Sequence, residues 1–125
     1  MRAMKLLIAD DNALMRALLR RMCAEVATET RECADGADAV LAFGEFQPDW
    51  TLMDIAMPRL DGLAATRQIL AAHPGARVVV ITQHRGPEYE LAARSTGATA
   101  FLLKENLTSL PSLLSKKPNP SLKTP

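Results

Sequence analysis

Short apolar segments alternate with segments of helical periodicity along the chain, and this alternation limits the possible folds more than any other feature. Five strand-like segments are each followed by a helix-like one. Parallel strands need a long crossover, which a helix commonly supplies. The order therefore predicts a doubly wound α/β fold, in which a five-stranded parallel sheet is covered by helices on both faces. With 125 residues, the chain has room for one domain of ordinary size.

The predicted strands are brief, and most of them end at a residue with a reactive side chain. The second contains many polar residues and is expected at or near a sheet edge. Asn12 can cap the first helix, and Pro74 follows the end of the third at His73, a predicted C-terminal capping cation. The predicted strands cover 4–9, 28–33, 50–53, 77–81 and 99–103, and the helices lie after Asn12, over 36–46, 63–73 and 87–95, and after Thr108 or Ser109 as a short last helix.

The first two helices have predicted apolar faces. In the first helix the apolar residues recur four apart, and basic residues occupy the other side. We interpret this basic side as a solvated face. The predicted apolar residues are Leu14, Leu18, Met22 and Val26, with Met15 and Leu19 beside them, in the first helix and Val40, Leu41 and Phe43 in the second, and the basic residues are Arg16, Arg20 and Arg21.

Composition changes near the C-terminus. Hydrophobic residues make up 48% of the chain and charged residues 23%, as in a soluble globular protein. The end of the chain is instead rich in Pro, Ser and Lys, so we expect a domain over 1–115 and a disordered tail or linker over 116–125. Three lysines there more often form a solvated end than a nucleic-acid site. Cys23 and Cys33 do not have zinc-site spacing, and no signal or membrane segment is visible, so a cytoplasmic location is expected.

Reactive side chains follow four of the five predicted strands. Asp10 and Asp11 come after the first strand, Asp54 after the third, Thr82 after the fourth and Lys104 after the fifth. Ligands of such sheets bind outside the carboxyl ends of the strands, near the point where the strand order reverses. We therefore expect these five side chains to meet in one crevice.

The types of side chain in this predicted crevice suit phosphoryl chemistry. Clustered carboxylates repel one another unless a cation lies between them, and an all-oxygen set favours Mg²⁺, with Mn²⁺ as an alternative, over zinc. Lys104 supplies a positive charge and Thr82 a hydroxyl donor, which together suit a phosphoryl group. Asp54 could then attack in line and form an acyl phosphate.

Together these motifs resemble the receiver domains of bacterial two-component response regulators, over about residues 4–115. The resemblance is carried by Asp10-Asp11, by the segment 52–62 (LMDIAMPRLDG), by Thr82, and by Gly97-Ala98 before the segment 101–104 (FLLK). The sequence of segment 52–62 is most similar to that of receivers that carry a LuxR/NarL-type DNA-binding domain. The resemblance to receiver domains implies a flavodoxin-like fold with strand order 2-1-3-4-5.

The resemblance assigns roles around Asp54, which would accept phosphate from a sensor histidine kinase. Asp11, Asp54 and the carbonyl of Ala56 would bind Mg²⁺, and Asp10 would assist through water. Lys104 would bridge to the phosphoryl oxygens and Thr82 would swing toward them. Phe101, where Tyr is frequent, would turn inward as the second switch residue. The only catalysis implied is self-phosphorylation and its reversal by hydrolysis.

The resemblance also implies partner surfaces. The face formed by the fourth helix, the fifth strand and the fifth helix would dimerise or meet an output partner, and the basic side of the first helix is an alternative kinase-docking surface. No direct nucleic-acid or membrane contact is expected from this chain. Because the last helix is short, the dimerising face is expected to be reduced.

Two residues depart from the family pattern or tune it. Gln83 stands where the family usually has a small residue, and its length could narrow the path to Asp54. His84 lies where the family tunes attack by water, although a solvent-exposed loop histidine is an equal alternative.

Two rival functions remain: an interaction domain that works without phosphate, and a small Mg²⁺-dependent phosphatase. The latter typically has Asp-x-Asp after its first strand, which this chain lacks.

Overall fold

The computed structural model describes residues 3–115, so the predicted tail at 116–125 lies outside the described residues. Strands and helices alternate as expected. The elements are β1 (Lys5–Ala9), α1 (Ala13–Met22), β2 (Glu29–Cys33), α2 (Gly36–Phe46), β3 (Trp50–Asp54), α3 (Gly62–Ala72), β4 (Val78–Thr82), α4 (Pro87–Ser95), β5 (Ala100–Leu103), a 3₁₀ segment (Lys104–Ser109) and α5 (Leu110–Ser115).

All strand pairs are parallel, and the sheet has the order β2-β1-β3-β4-β5. This confirms the predicted doubly wound, flavodoxin-like arrangement, with β2 at an edge. The chain runs outward in opposite directions from β1, so the strand order reverses between β1 and β3. A crevice at the carboxyl ends of these two strands is the expected ligand site of such a sheet.

The two faces of the sheet carry separate hydrophobic cores. One core packs α2, α3 and α4 against the sheet, with Ala39, Ile69 and Ala93 among its buried residues. The other packs α1 and α5, through Leu19 and Leu110, against the opposite face. The central strands β3 and β4 are buried along their whole length, as expected of parallel strands covered on both faces.

The predicted apolar face of α1 is wrong in part. Leu14 is 83% exposed and Leu18 is 43% exposed, whereas Leu19 is buried against the sheet. The helix ends at Met22, so Val26 lies beyond it. The packed strip is formed by Leu19 and Met15, which were predicted beside Leu14 and Leu18, together with Met22 and Val26. The rotation of α1 against the sheet decides which of these neighbouring strips is buried.

The predicted core of α2 is also partly wrong. Leu41 is 65% exposed, and α2 instead buries Ala39, Ala42 and Phe43, with Val40 partly buried beside them. Small residues on this face let α2 approach the sheet closely. Propensity and periodicity cannot distinguish this face from the neighbouring one that carries Leu41.

The predicted end of the third helix and the predicted start of the fifth agree closely with the structure. The third ends at Ala72 and His73 occupies the C-cap position, where its ring packs 4.8 Å from that of Phe43. The last helix, α5, begins at Leu110 after the 3₁₀ segment and covers six of the described residues. The prediction of a short last helix is confirmed.

Two glycines bring the loop between β3 and α3 into direct backbone contact with its neighbours. A Cβ atom on Gly36, the first residue of α2, would lie 2.0 Å from the carbonyl oxygen of Leu60. A Cβ atom on Gly62 would lie 1.8 Å from the carbonyl oxygen of Asp54. No larger residue fits either place, so these contacts fix the loop that follows Asp54.

We expect Gly36→Ala to lower the free energy of unfolding by about 1–3 kcal/mol, because its methyl group would force two backbone segments apart. Gly44→Ala is the matched control in the same helix, where a Cβ atom meets nothing within 4 Å. This control should raise stability by roughly 0.5–1 kcal/mol through the better helix propensity of Ala. Urea unfolding measures both, and equal changes would contradict the close contact.

Candidate functional site

The carboxyl edge of the sheet holds the reactive side chains that the sequence placed there. Asp10 follows β1, Asp54 is the last residue of β3, and Lys104 follows β5 directly. In the register of β3 and β4, Asp54 pairs with Ile81, so Thr82 lies one residue further toward the same edge. The expected convergence therefore occurs at the crevice beside β1 and β3.

Three carboxylates form the centre of this crevice. One oxygen from each of Asp10, Asp11 and Asp54 lies within 4.8 Å of the others. Asp10 and Asp54 are buried, and Asp11 is exposed. The centre is therefore closed on the side of the sheet and open to solvent at Asp11.

Asp10 is held from several directions. Its N–H donates to the Cys33 carbonyl at 3.1 Å, and its Oδ1 accepts from the Asn12 N–H at 2.9 Å. Its buried Oδ2 makes no hydrogen bond of good geometry, although the Lys104 ammonium lies 3.1 Å away. This oxygen has spare capacity to accept from another donor, such as a water molecule.

Lys104 is the cation that faces the carboxylates. Its Nζ lies 3.1 Å from Asp10 Oδ2 and 3.4 Å from Asp54 Oδ1. Burial by itself lowers the pKa of Lys104, but the close polar contacts that its ammonium makes with Asp10 and Asp54, and their negative charges, outweigh this and raise the pKa above its ordinary value. The ammonium therefore stays charged in the crevice.

Asp54 has a strongly perturbed carboxyl group. Burial is the largest cause and the charge of Asp10 adds to it, while Lys104 acts in the opposite direction. The net effect raises the pKa of Asp54 from 3.8 to about 6. A buried acid with a shifted pKa in a cleft is typical of a functional group.

The residues present fit a hard divalent cation. All three side chains offer oxygen atoms, which Mg²⁺ prefers. The exposed position of Asp11 leaves room for the waters that Mg²⁺ usually keeps. Among residues 3–115, no backbone N–H donates to the carbonyl of Ala56, two residues after Asp54, which the resemblance implies as a further ligand.

The loop after β4 carries Thr82, Gln83 and His84. Thr82 is buried and its Oγ1 accepts from the N–H of His84 at 3.1 Å. The His84 ring stacks on Tyr89 of α4, with 4.7 Å between ring centroids and 15° between the planes. His84 is thus half-buried in a packed stack, and Gln83 beside it is exposed.

Phe101 and Glu105 lie on the β5 side of the site. Phe101 is half-buried and packs against the core formed with α2, α3 and α4, which also contacts Tyr89. Glu105 forms an ion pair with Arg85 at 2.8 Å. This pair joins the loop after β4 to the segment that begins with Lys104, and it lies at the surface.

Arg16 was missed as a site residue, and its prediction as part of a solvated face is wrong. Only 19% of its side chain is exposed, and its Nη1 donates to the carbonyl of Asp10 at 2.6 Å. Its Nε also donates to Glu32 at 3.0 Å. The sequence signal that could have identified Arg16 is Glu32, an acidic partner near the carboxyl end of the neighbouring edge strand.

The family model for the response regulator receiver domain matches residues 6–114. Over 104 residues the chain is 36% identical to the transcriptional regulatory protein DegU of Brevibacillus brevis. The aligned region covers 81% of this chain and 44% of DegU, so the chain spans less than half of that regulator. It is 34% identical over 102 residues to the chemotaxis protein CheY of Halobacterium salinarum, covering 82% of this chain and 85% of CheY.

Solved structures agree with this assignment. A LuxR-family two-component response regulator from Aurantimonas is 27% identical and superposes with a TM-score of 0.80, covering 91% of this chain and 86% of that one. The receiver domain of NarL from Mycobacterium tuberculosis shares the fold, with a TM-score of 0.81, 24% identity and coverage of 94% and 100%. Within residues 3–115, no helix is long and apolar enough to cross a membrane. The chain belongs to the receiver domain family of response regulators.

Proposed function

We propose that this receiver works as a phosphorylation-controlled switch in which Asp54 accepts a phosphoryl group from a sensor histidine kinase. The observation that carries the proposal is the position of Asp54, only 6% exposed, beside two further carboxylates and 3.4 Å from the Lys104 ammonium. A structural ion pair would need only one carboxylate for one lysine. The surplus of negative charge favours a site that is completed by a cation and a phosphoryl group.

In the transfer step, an Asp54 carboxylate oxygen attacks phosphorus in line and forms an O–P bond. The P–N bond of the phosphohistidine donor breaks, and the imidazole nitrogen keeps the electron pair and takes up a proton. With a pKa of about 6, Asp54 is mostly ionised near pH 7.5 and can act as the nucleophile. Lys104 neutralises charge on the phosphoryl oxygens.

The metal site of the proposal uses the same edge of the sheet. Asp11, Asp54 and the Ala56 carbonyl would hold Mg²⁺, or Mn²⁺ in its place, and Asp10 would act through a water. When bound, the ion neutralises the phosphoryl oxygens as charge moves onto them. Hydrolysis of the acyl phosphate on Asp54 resets the switch, so the protein turns over no separate substrate.

Phosphate on Asp54 adds nearly two negative charges and several strong acceptors. The Thr82 hydroxyl, on the neighbouring strand β4, donates a hydrogen bond to these phosphoryl oxygens. The loop with Gln83 and His84 moves together with Thr82. Phe101 then turns inward into space that this loop leaves. Gln83 and His84 are the residues proposed to tune the rate, Gln83 by its length and His84 through its stack on Tyr89.

The output surface of the proposal is formed by α4, β5 and α5. Leu91 of α4 is 72% exposed. A second copy of the receiver or an output partner would bind there, with the short α5 limiting its extent. We further propose a cytoplasmic receiver over 1–115, with 116–125 as linker. The chain itself does not bind nucleic acid.

The phosphoacceptor is tested by incubating the protein with Mg²⁺ and acetyl phosphate and weighing it by mass spectrometry. Wild type should gain ~80 Da, the mass of one phosphoryl group in covalent transfer, and Asp54→Ala should gain nothing. Glu25→Ala, at an exposed acid, is the control that should react as wild type does.

A folded wild-type protein that gains no mass would support the phosphate-independent interaction domain instead. An adduct that persists in Asp54→Ala would place the acceptor elsewhere. Rapid turnover of an unrelated phosphomonoester would favour the phosphatase.

Gln83→Ala tests the tuning role. Shortening this exposed side chain should widen the path to Asp54, so phosphorylation by acetyl phosphate and the later loss of phosphate should both become faster, by roughly 2–10-fold for an access effect of this size. Gln68→Ala on α3, also exposed, is the matched control. Unchanged rates for both reactions would remove Gln83 from the proposal.

Asp54→Asn tests the electrostatic state of the site through stability. The native pKa of Asp54, about 6, is above the ordinary 3.8, so the folded protein binds this proton more tightly and loses stability as pH rises from about 4 to 6. Asp54→Asn removes this cost. Without Mg²⁺ it should be more stable than wild type above pH 6 by about 1–3 kcal/mol, and the difference should vanish below pH 4. Urea unfolding across pH measures this, and a difference independent of pH would contradict the raised pKa.

A further inference from the structure

We infer that Arg16 is a positioning residue of the acidic site, which sets the direction of Asp11 by holding the carbonyl of Asp10; the inference rests on the proposed Mg²⁺ and phosphoryl site. Arg16 lies in α1, and its Nη1 donates to the Asp10 carbonyl at 2.6 Å. A charged donor on a carbonyl oxygen at this distance is a strong hydrogen bond. The contact lies on the backbone of the loop that supplies two of the three carboxylates.

The guanidinium is braced from its other side. Its Nε donates to Glu32 Oε1 at 3.0 Å, and Glu32 also pairs with Arg20. Glu32 belongs to the edge strand β2 and is itself mostly covered. Arg16 is therefore held between the edge strand and the acidic loop, with little freedom to turn toward solvent.

The consequence for Asp11 follows from the planarity of the peptide unit. The Asp10 carbonyl, the Asp11 N–H and the Asp11 Cα atom lie in one peptide plane. A hydrogen bond that fixes the carbonyl therefore also fixes the position of the Asp11 Cα atom. The Asp11 side chain is exposed, and among the hydrogen bonds of residues 3–115 none involves its carboxylate. Its direction in the free protein therefore depends on the backbone that Arg16 holds.

Arg16 acts through Asp10 and Asp11 and is not a catalytic residue. Its nitrogens bind the Asp10 carbonyl and Glu32, whereas Lys104 faces the carboxylate oxygens. The two cations of the site thus have different tasks. Lys104 compensates charge, and Arg16 fixes backbone geometry.

Charge and geometry predict opposite results when Arg16 is replaced. Removing a nearby positive charge should by itself strengthen the binding of Mg²⁺, because like charges repel. Losing the hold on the Asp10 carbonyl should weaken it, because the ligands must then be ordered on binding. The sign of the change in affinity distinguishes the two roles.

The experiment measures the Mg²⁺ dissociation constant by calorimetry for wild type, Arg16→Met, Arg16→Lys and Arg21→Met, together with the affinity for beryllofluoride in Mg²⁺. Both Arg16 variants should bind Mg²⁺ more weakly, by about 10-fold, as for other residues that orient metal ligands. Arg21→Met, an exposed arginine of the same helix, is the charge-matched control and should bind as wild type or slightly more tightly.

Each outcome has a defined meaning. Wild type that does not bind Mg²⁺ overturns the proposed function. Wild type that binds, with Arg16→Met equal or tighter, overturns the positioning role. Weak binding by Arg16→Met that is restored in Arg16→Lys also overturns it, because a lysine keeps the charge and loses the planar fork.

Folding of the variants is checked by circular dichroism and urea unfolding. If the Arg16 variants do not fold, Glu32→Gln decides, because it removes the charged brace and leaves Arg16 in place. It should weaken Mg²⁺ binding by about 3-fold, less than loss of the ligand-orienting residue itself. Unchanged binding in Glu32→Gln would then overturn the inference.

Discussion

Repulsion among three carboxylates at one edge of the sheet is the constraint on which the arrangement of this protein depends. Asp10 and Asp54 are buried where charge is costly, and Lys104 compensates only part of it. Burial first, and the charge of Asp10 second, raise the pKa of Asp54, which records the cost that remains. A fold tolerates such a cost only when the surrounding structure is strong enough to hold the groups in place. Here that strength comes from strands buried on both faces.

The backbone around the site is held by contacts that leave no space for adjustment. Gly36 meets the Leu60 carbonyl, Gly62 meets the Asp54 carbonyl, and Arg16 holds the Asp10 carbonyl. The two loops that supply the carboxylates are therefore fixed from opposite sides. The loop after β4, in contrast, rests on a ring stack between His84 and Tyr89 and on a surface ion pair. The acidic half of the site is thus held by close backbone contacts, and the other half by side-chain contacts.

Most of the site could be predicted from the sequence, because its residues follow buried strands directly. A parallel sheet brings all strand ends of one type to the same edge, so Asp10, Asp54 and Lys104 needed only the correct strand assignment. Arg16 could not be found in this way. Its role depends on the rotation of α1 against the sheet, and the apolar pattern of that helix pointed to the side of Leu14, which is exposed. Periodicity shows that a helix is amphipathic and locates its apolar side to within one neighbouring strip of the surface. Tertiary packing decides which of these strips is buried.

The sequence alone determined the order of strands and helices, the chemical types at the strand ends and the short last helix, because each depends on local runs of residues. The tertiary structure decided which helix faces are buried, how closely α2 approaches the loop after β3, and which arginine of α1 reaches the acidic loop. These depend on distances between segments that are far apart in the chain. The angle and distance at which two elements pack against each other set these distances, and local propensity does not encode that packing geometry.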